Sequence, residues 1–433
     1  MQLLDFQVGP AEAVGEIAFT KGSALMTCPT GFGKMYMGAH VAREAQLLAN
    51  IDPVVICPKI ATHQWGRVLG GFGVTNATVT NYEMAIRHFV SWQTYGDLKW
   101  CFWKPEFHGR LVIFDESHRC GGLETQNGKM MASSRQHQMK SIQMSATPAD
   151  SPLRMRAMVT TLGICGWDAY WSWARVRGCH TRMIRGRAKG LEFTKGAKGK
   201  KIMSEISAEF YPEYGSLVSI NDASAYYNDH HVMVDCPLIP GADRVWIEAE
   251  REVMQLANER GSDPASLKLG ARIRARKAVE LLKVPTLLEM AKDGLESGYS
   301  VVVFMNFTES LLGLAEALKC AVIYGEDRDR QQSIDDFQSG VTNCLVVNTA
   351  AGSEAVSLHD TVGDAPRLAL ISPGENSTQL AQALGRTHRV GARSPATSKL
   401  IYAADSLEEQ VAENVNRKLG NLGALTDNDL EFF

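Results

Sequence analysis

Short apolar runs alternate along the chain with longer stretches whose apolar positions recur at helical spacing. In the first half the runs fall at 24–28, 54–57, 77–80, 110–114 and 140–145, and each ends in small, polar or turn-forming residues. The rhythm returns from about Tyr299, with runs at 301–304, 321–324, 344–348, 368–372 and 399–402. Runs this short, separated by helical segments, predict parallel strands joined by crossover helices. The expected fold is α/β with two parallel-sheet domains. The first is expected over 1–228, including a basic segment at 163–215, and the second over 229–420, opening with a helical stretch at 243–292. Residues 421–433 read as an acidic tail.

Composition narrows the class. Apolar residues make up 45% and charged residues 21% of 433, the balance of a soluble globular protein with room for two or three cores. Net charge is −3, so any nucleic-acid partner must be met by a local basic patch. Nine cysteines are scattered, without a Cys-x-x-Cys pair, which points to a reducing, intracellular (cytoplasmic) setting and away from structural zinc. Residues 1–20 carry Asp5, Glu12 and Glu16 and no basic leader, unlike a signal peptide. No apolar run reaches the ~18–20 residues of a membrane span.

In parallel sheets ligands gather at the carboxyl ends of strands, and Lys34, Asp115 and Thr147 all fall just after one. Thr30-Gly31-Phe32-Gly33-Lys34-Met35 follows the first strand as a phosphate-binding loop would. Its glycines let backbone N–H groups close around phosphate oxygens, and Lys34 can reach the outer phosphates. The position after the lysine is normally Ser or Thr, whose hydroxyl binds Mg²⁺; here it is Met35, a poor Mg²⁺ ligand. The strand 110–114 runs into Asp115 and Glu116, suited to holding Mg²⁺ through water and to accepting a proton from an attacking water, or else simply a polar strand-end turn. Ser145-Ala146-Thr147 offers two hydroxyls after another strand. Gln382, Arg386 and Arg389 lie at i, i+4 and i+7, which predicts one helical face whose two guanidiniums could clamp a γ-phosphate.

The segment 163–215 is unevenly charged. Between 175 and 201, Arg175, Arg177, Arg182, Arg185, Arg187, Lys189, Lys195, Lys198, Lys200 and Lys201 face a single acid, Glu192. With Gly186, Gly190, Gly196 and Gly199 it reads as a mobile loop with a phosphate-backbone surface. The alternative is a solvated loop, with Trp167, Tyr170, Trp171 and Trp173 as ordinary core.

Taken in order, the phosphate loop, Asp115-Glu116-Ser117-His118, Ser145-Ala146-Thr147 and Gln382-Ala383-Leu384-Gly385-Arg386-Thr387-His388-Arg389 resemble the superfamily-two helicases and translocases, and within them the Swi/Snf-type ATPases. Ile56-Cys57-Pro58 through Trp65, Val79-Thr80-Asn81-Tyr82-Glu83, Val303-Phe304-Met305-Asn306-Phe307, Tyr324-Gly325 with Arg330, Ile334 and Phe337, and the fifth-motif stretch from Thr349 to Leu358 extend the likeness from about Leu4 to Tyr402. The resemblance implies two RecA-like lobes with an ATP cleft between them, using ATP and Mg²⁺ and stepping along nucleic acid, with DNA ahead of RNA as the track. It places Gln7 like the adenine-reading glutamine and Thr30, Gly31, Gly33, Lys34 and Met35 around the phosphates. Asp115 falls on the metal, Glu116 on the water, and Gln382, Arg386 and Arg389 in catalysis. Ser145, Thr147, Gly352 and Glu354 would couple nucleotide to track, and Arg175, Arg177, Arg182, Arg185, Arg187, Lys198, Lys200 and Lys201 would touch nucleic acid.

Three departures stand out: Met35 in the loop, Ser353 and Ala355 where the fifth motif has glycines, and a length that leaves little room for accessory domains, as in compact viral relatives that act inside a host cell. Leu430, Phe432 and Phe433 faintly resemble sliding-clamp docking tails. The leading expectation is a double-stranded DNA translocase. The alternatives are a strand-separating or annealing helicase on DNA or RNA, and a nucleotide-gated binding protein with weak hydrolysis because of Met35.

Overall fold

The computed structural model describes residues 1–96, 98–184, 187–226, 228–260, 264–325, 330–352 and 356–426. Among the described residues the chain divides into two compact units, one formed by Met1–Ser224 with residues 417–426, the other by Ala225–Asn416.

The first unit holds strands β1 (Ser23–Thr27), β2 (Pro53–Cys57), β3 (Thr78–Asn81), β4 (Val90–Tyr95), β5 (Leu98–Trp103), β6 (Leu111–Asp115), β7 (Lys140–Ser145), β8 (Cys179–Ile184), β9 (Arg187–Phe193) and β10 (Gly215–Leu217). Six of them form a sheet in the order β10-β1-β7-β6-β2-β3 with every neighbouring pair parallel. β1, β2 and β6 are buried along their whole length, which is why they read as unbroken apolar runs. Three helices matter for the site: α1 (Asp5–Lys21), α2 (Lys34–Ala49) and α3 (Thr62–Gly71). α2 leaves the end of β1 through Gly33 in left-handed conformation and stops at Asn50, also left-handed.

The second unit repeats the plan with β11 (His230–Asp235), β12 (Ser300–Met305), β13 (Ala321–Ile323), β14 (Cys344–Asn348), β15 (Arg367–Ile371) and β16 (Ala396–Ile401). They order as β11-β16-β15-β12-β14-β13, all parallel. The α/β fold of two parallel-sheet domains is thus as the pattern predicts.

Elsewhere the structure departs from the sequence reading. β4 and β5 make an antiparallel hairpin that the spacing does not reveal; its Trp100 and Trp103 are buried with Val112 and Phe114. The segment 163–215 is not a loop. It folds as the helix Tyr170–Val176, the antiparallel hairpin β8–β9, the helix Gly196–Phe210 and β10, which adds to the main sheet beside β1. Tyr170, Trp173, Phe193, Met203, Ile206 and Phe210 collapse into one core, so the aromatic group before the basic run packs as core residues do. The expected tail does not begin at 421. The helix Leu407–Thr426 runs through that point because Leu419, Leu422 and Leu425 recur every third residue and are buried. The acidic remainder, with Leu430, Phe432 and Phe433, lies outside the described residues. Among the described residues no helix is long and apolar enough to cross a membrane.

Candidate nucleotide site

In the first unit the phosphate loop spans from the end of β1 to the start of α2. Gly31 and Gly33 take φ of 90° and 82°, where a side chain is disfavoured. A Cβ on Gly33 would lie 2.3 Å from Gln7 Nε2. Gln7, from the first turn of α1, donates through Nε2 to the Phe32 carbonyl (2.8 Å) and accepts the Leu4 N–H on Oε1 (3.0 Å). It therefore braces the loop from beneath, and both ends of its amide are engaged.

Lys34 opens α2 and is only 9% exposed. Its ammonium donates to the Cys28 carbonyl at 3.2 Å. An ammonium has three N–H donors, so two remain for incoming oxygens. A buried cation at a helix N-terminus with spare donors fits nucleotide phosphate. Thr30 is half-buried at the mouth of the loop, and Met35, also half-buried, follows Lys34 without a hydroxyl to offer a metal. Burial pushes the neighbouring Cys28 thiol up to about 12, so it stays neutral and inert.

Asp115 ends β6 and is 5% exposed. Trp65 Nε1 donates to its Oδ2 at 2.8 Å, the Glu116 N–H to its Oδ1 at 3.0 Å, and the Tyr82 hydroxyl to its backbone carbonyl at 2.8 Å. Burial first, then the adjacent Glu116 charge, push its carboxyl up to about 6, against the opposing pull of Trp65 and Lys34. Glu116 holds a left-handed backbone (φ 52°, ψ 50°), a conformation that non-glycine residues keep only where the surroundings enforce it. His118 Nδ1 lies 3.3 Å from both Glu116 Oε2 and Ser145 Oγ, and Ser145 Oγ accepts the Thr147 N–H at 3.0 Å. The carboxylates are thereby linked to the loop after β7. The Thr147 hydroxyl is buried and has no hydrogen-bond partner among the described residues. The donor set of one buried carboxylate, a second acid beside it and no hydroxyl at position 35 fits Mg²⁺ held mainly by phosphates and water.

In the second unit Gln382 and Arg386 lie four residues apart on one helix, as expected, whereas Arg389 lies beyond its end. The helix Ser377–Thr387 begins at Asn376, whose side chain caps the Thr378 and Gln379 N–H groups, and it ends one residue before His388. His388 is extended, stacks on His230 with centroids 4.5 Å apart, and donates from Nε2 to the Asn228 carbonyl at 2.8 Å. That anchor ends the helix, so Arg389 does not continue the face of Gln382 and Arg386. Arg386 is 2% exposed and donates to the Val356 carbonyl at 3.2 Å. Arg389 donates to the Gly385 carbonyl at 3.3 Å and to the Ser357 hydroxyl. Gly352 ends the turn Thr349–Gly352, and a Cβ there would meet Val347 at 2.3 Å. Glu354, with Ser353 and Ala355, lies outside the described residues.

The basic residues sort by surroundings. Arg175, Arg182, Lys198 and Lys201 are exposed, and Lys200 is half-buried. Arg177 differs: it pairs with Glu209 at 2.6 Å and stacks 4.4 Å over Trp173, which marks it as a brace. Arg187 opens β9, and Arg185 lies outside the described residues.

Three contacts were hidden from the sequence. Trp65 and Tyr82 reach Asp115 from the segments after β2 and β3. Glu280, Lys283 and Glu408 form a buried network in the second unit. Each joins residues far apart in the chain, and a period-3.6 or period-2 pattern carries no such information.

Together these features define a two-unit parallel-sheet protein with a phosphate loop and a paired-carboxylate strand end. Residues 282–391 match the helicase conserved C-terminal domain family. Over 442 aligned positions, 94% of this chain and 80% of the relative, the protein is 30% identical to an Acanthamoeba polyphaga mimivirus protein named "Putative ATP-dependent RNA helicase". A 131-residue stretch, 28% of this chain and 9% of the relative, is 25% identical to the chromatin remodeling factor mit1 of Schizosaccharomyces pombe. Two solved structures are similar at greater distance. The Sulfolobus solfataricus SWI2/SNF2 ATPase core in complex with dsDNA matches over 93% of this chain and 88% of that one, with 15% identity and a TM-score of 0.39. A Dbp5 variant of S. cerevisiae bound to RNA and ADP BeF3 matches over 97% and 92%, with 11% identity and a TM-score of 0.46. The relative aligned over 94% of this chain, with the matched C-terminal domain, fixes the family. The chain belongs to the superfamily-two helicases and translocases, which are ATP-hydrolysing enzymes.

Proposed function

We propose that this enzyme is a nucleic-acid-stimulated ATPase of the Swi/Snf type that moves along double-stranded DNA. The observation that carries the ATPase part is the first unit's arrangement: a buried Lys34 with spare donors, Asp115 and Glu116 at a strand end, and the link through His118 to Ser145. Lys34 and the loop around Thr30, Gly31 and Gly33 hold the phosphates. Gln7 serves the adenine end after exchanging its bonds to Phe32 and Leu4. Glu116 accepts a proton from the water that attacks the γ-phosphorus; the bond to the β–γ bridging oxygen breaks, and ADP and phosphate leave. Asp115 would hold Mg²⁺, which neutralises phosphate charge when bound. Gln382, Arg386 and Arg389 contribute to hydrolysis from the second unit, Arg386 and Arg389 as cations. Ser145, Thr147, Gly352 and Glu354 couple nucleotide state to the track, which Arg175, Arg182, Lys198, Lys200 and Lys201 contact.

Support for duplex DNA is the Swi/Snf-like motif set and the stretch shared with a chromatin remodeling factor. A second reading, an RNA helicase, is supported by the name of the relative that aligns over 94% of the chain. Phosphate release with duplex DNA, single-stranded DNA and RNA, beside Lys34→Ala and Glu116→Gln, decides between them. Stimulation by duplex DNA with triplex displacement but no duplex opening supports translocation. Stimulation by RNA with strand separation overturns it. A separate, weaker partner proposal is a sliding clamp held by Leu430, Phe432 and Phe433, tested by deleting 430–433 and measuring clamp binding.

A further inference from the structure

The Asp115 carboxylate is oriented by a side chain from outside its own strand. Trp65 is fully buried, its indole N–H lies 2.8 Å from Asp115 Oδ2, and nothing else among its described contacts uses that donor. The far edge of the same ring presses on the phosphate-loop helix: a Cβ on Gly38 of α2 would stand 2.9 Å from Trp65 Cη2 and 2.9 Å from Met144 Sδ of β7. One rigid side chain therefore touches both the helix that starts at Lys34 and the strand that ends at Asp115. α2 brings no hydroxyl to the metal because position 35 is methionine. Asp115 is then left as a main protein oxygen for Mg²⁺, and its orientation matters more than where a second protein oxygen shares the task.

We propose that Trp65 is a positioning residue for magnesium: its N–H holds the Asp115 carboxylate in one orientation, and its ring ties that orientation to the phosphate loop. This rests on the reading of Asp115 as the metal-holding carboxylate. A tryptophan that merely filled the core would, on truncation, weaken all nucleotide binding alike. A positioning residue shifts the Mg²⁺ dependence alone.

The experiment uses the full chain and fluorescent ADP without turnover, binding measured in EDTA and then across a Mg²⁺ titration. Trp65→Phe keeps the bulk and removes the N–H. The expected result is EDTA affinity within about twofold of wild type, with the half-saturating Mg²⁺ raised about 10- to 100-fold, the range for losing a partner of a metal-holding side chain. In a Met35→Thr background the shift should shrink, because α2 again supplies an oxygen. An unchanged Mg²⁺ midpoint, or equal losses with and without Mg²⁺, overturns the proposal. Asp115→Asn separates the two levels. If it leaves the Mg²⁺ midpoint alone, the reading of Asp115 falls and takes the proposal with it; if it moves the midpoint and Trp65→Phe does not, only the proposal falls. Should Trp65→Phe fail to fold, Gly38→Ala, which pushes on the ring from α2, decides in its place: a raised Mg²⁺ midpoint at unchanged EDTA affinity supports, an unmoved midpoint overturns.

Discussion

Asp115 keeps its charge against two opposing influences, its own burial and the carboxylate of Glu116 one residue away, and its pKa is pushed up to about 6. An unfolded aspartate titrates near ~3.9. Between those values the folded protein holds a proton that the unfolded chain has released. The site is therefore most favourable to folding at low pH and loses that contribution as pH rises through about 6. Asp115→Asn removes the buried charge. Its stability relative to wild type should rise between pH 4 and pH 7 by on the order of 2–3 kcal/mol, read from urea unfolding at each pH. An equal difference at both pH values would show that Asp115 is not perturbed. Gly33 is the other decisive residue. Alanine there would adopt φ near 82° and put a methyl 2.3 Å from Gln7 Nε2, breaking the brace to Phe32. Gly33→Ala should cost ~1–2 kcal/mol in stability and weaken ATP binding at least about tenfold, checked by calorimetry; intact affinity would separate Gln7 from the loop's function.

At the scale of elements, most strands of both sheets were legible because parallel strands are buried on both faces and leave unbroken apolar runs such as Val54-Val55-Ile56 and Val301-Val302-Val303, whereas the partly buried edge strands β10 and β11 were not. The phosphate loop was legible because glycine is required where φ is positive. What stayed hidden depends on tertiary partners. The pattern at Gln382 predicts a helical face that reaches Arg389, but His388 finds His230 and Asn228 and the helix ends at Thr387. The basic segment looked loop-like from its glycines, yet Gly199 is forced by contact: a Cβ there would lie 2.3 Å from the Thr194 carbonyl. The buried network around Lys283 was equally unreadable. On the helix Pro264–Glu296, Lys283 reaches Glu408 at 2.9 Å, Ser372 at 2.7 Å and the Ile401 carbonyl at 3.1 Å, while Glu280 accepts the Asn306 and Phe307 N–H groups. Together they fasten the helix to the carboxyl ends of β12, β15 and β16. Lys283→Met would leave Glu408, 4% exposed, without its cation. A loss of ~3–5 kcal/mol in urea unfolding is expected, partly recovered by adding Glu408→Gln. Full recovery of stability without the second change would mean the pair contributes no more than packing.

For the whole molecule, a net charge of −3 argues against general attraction to nucleic acid, so affinity must be concentrated where cations outnumber acids. In the first unit Arg182, Lys198 and Lys201 are exposed; the local acids either pair with a neighbour, as Glu192 does with His180 at 3.0 Å, or stand 4.0 Å away, as Glu205 does from Lys201. Pairs this exposed contribute little, so the cations remain available to phosphates. Each phosphate neutralised on duplex DNA steepens the dependence of log affinity on log salt by ~0.9, and on a single strand by ~0.7. Changing all three to glutamine should therefore flatten the slope by up to about 3 on duplex DNA and about 2 on a single strand, while ATP hydrolysis without polynucleotide stays at the wild-type rate. Fluorescence anisotropy over a salt series measures the slope. An unchanged slope would remove this face from the track and leave the phosphate contacts to be sought elsewhere. A slope that flattens on RNA but not on duplex DNA would favour the RNA helicase reading over the DNA translocase.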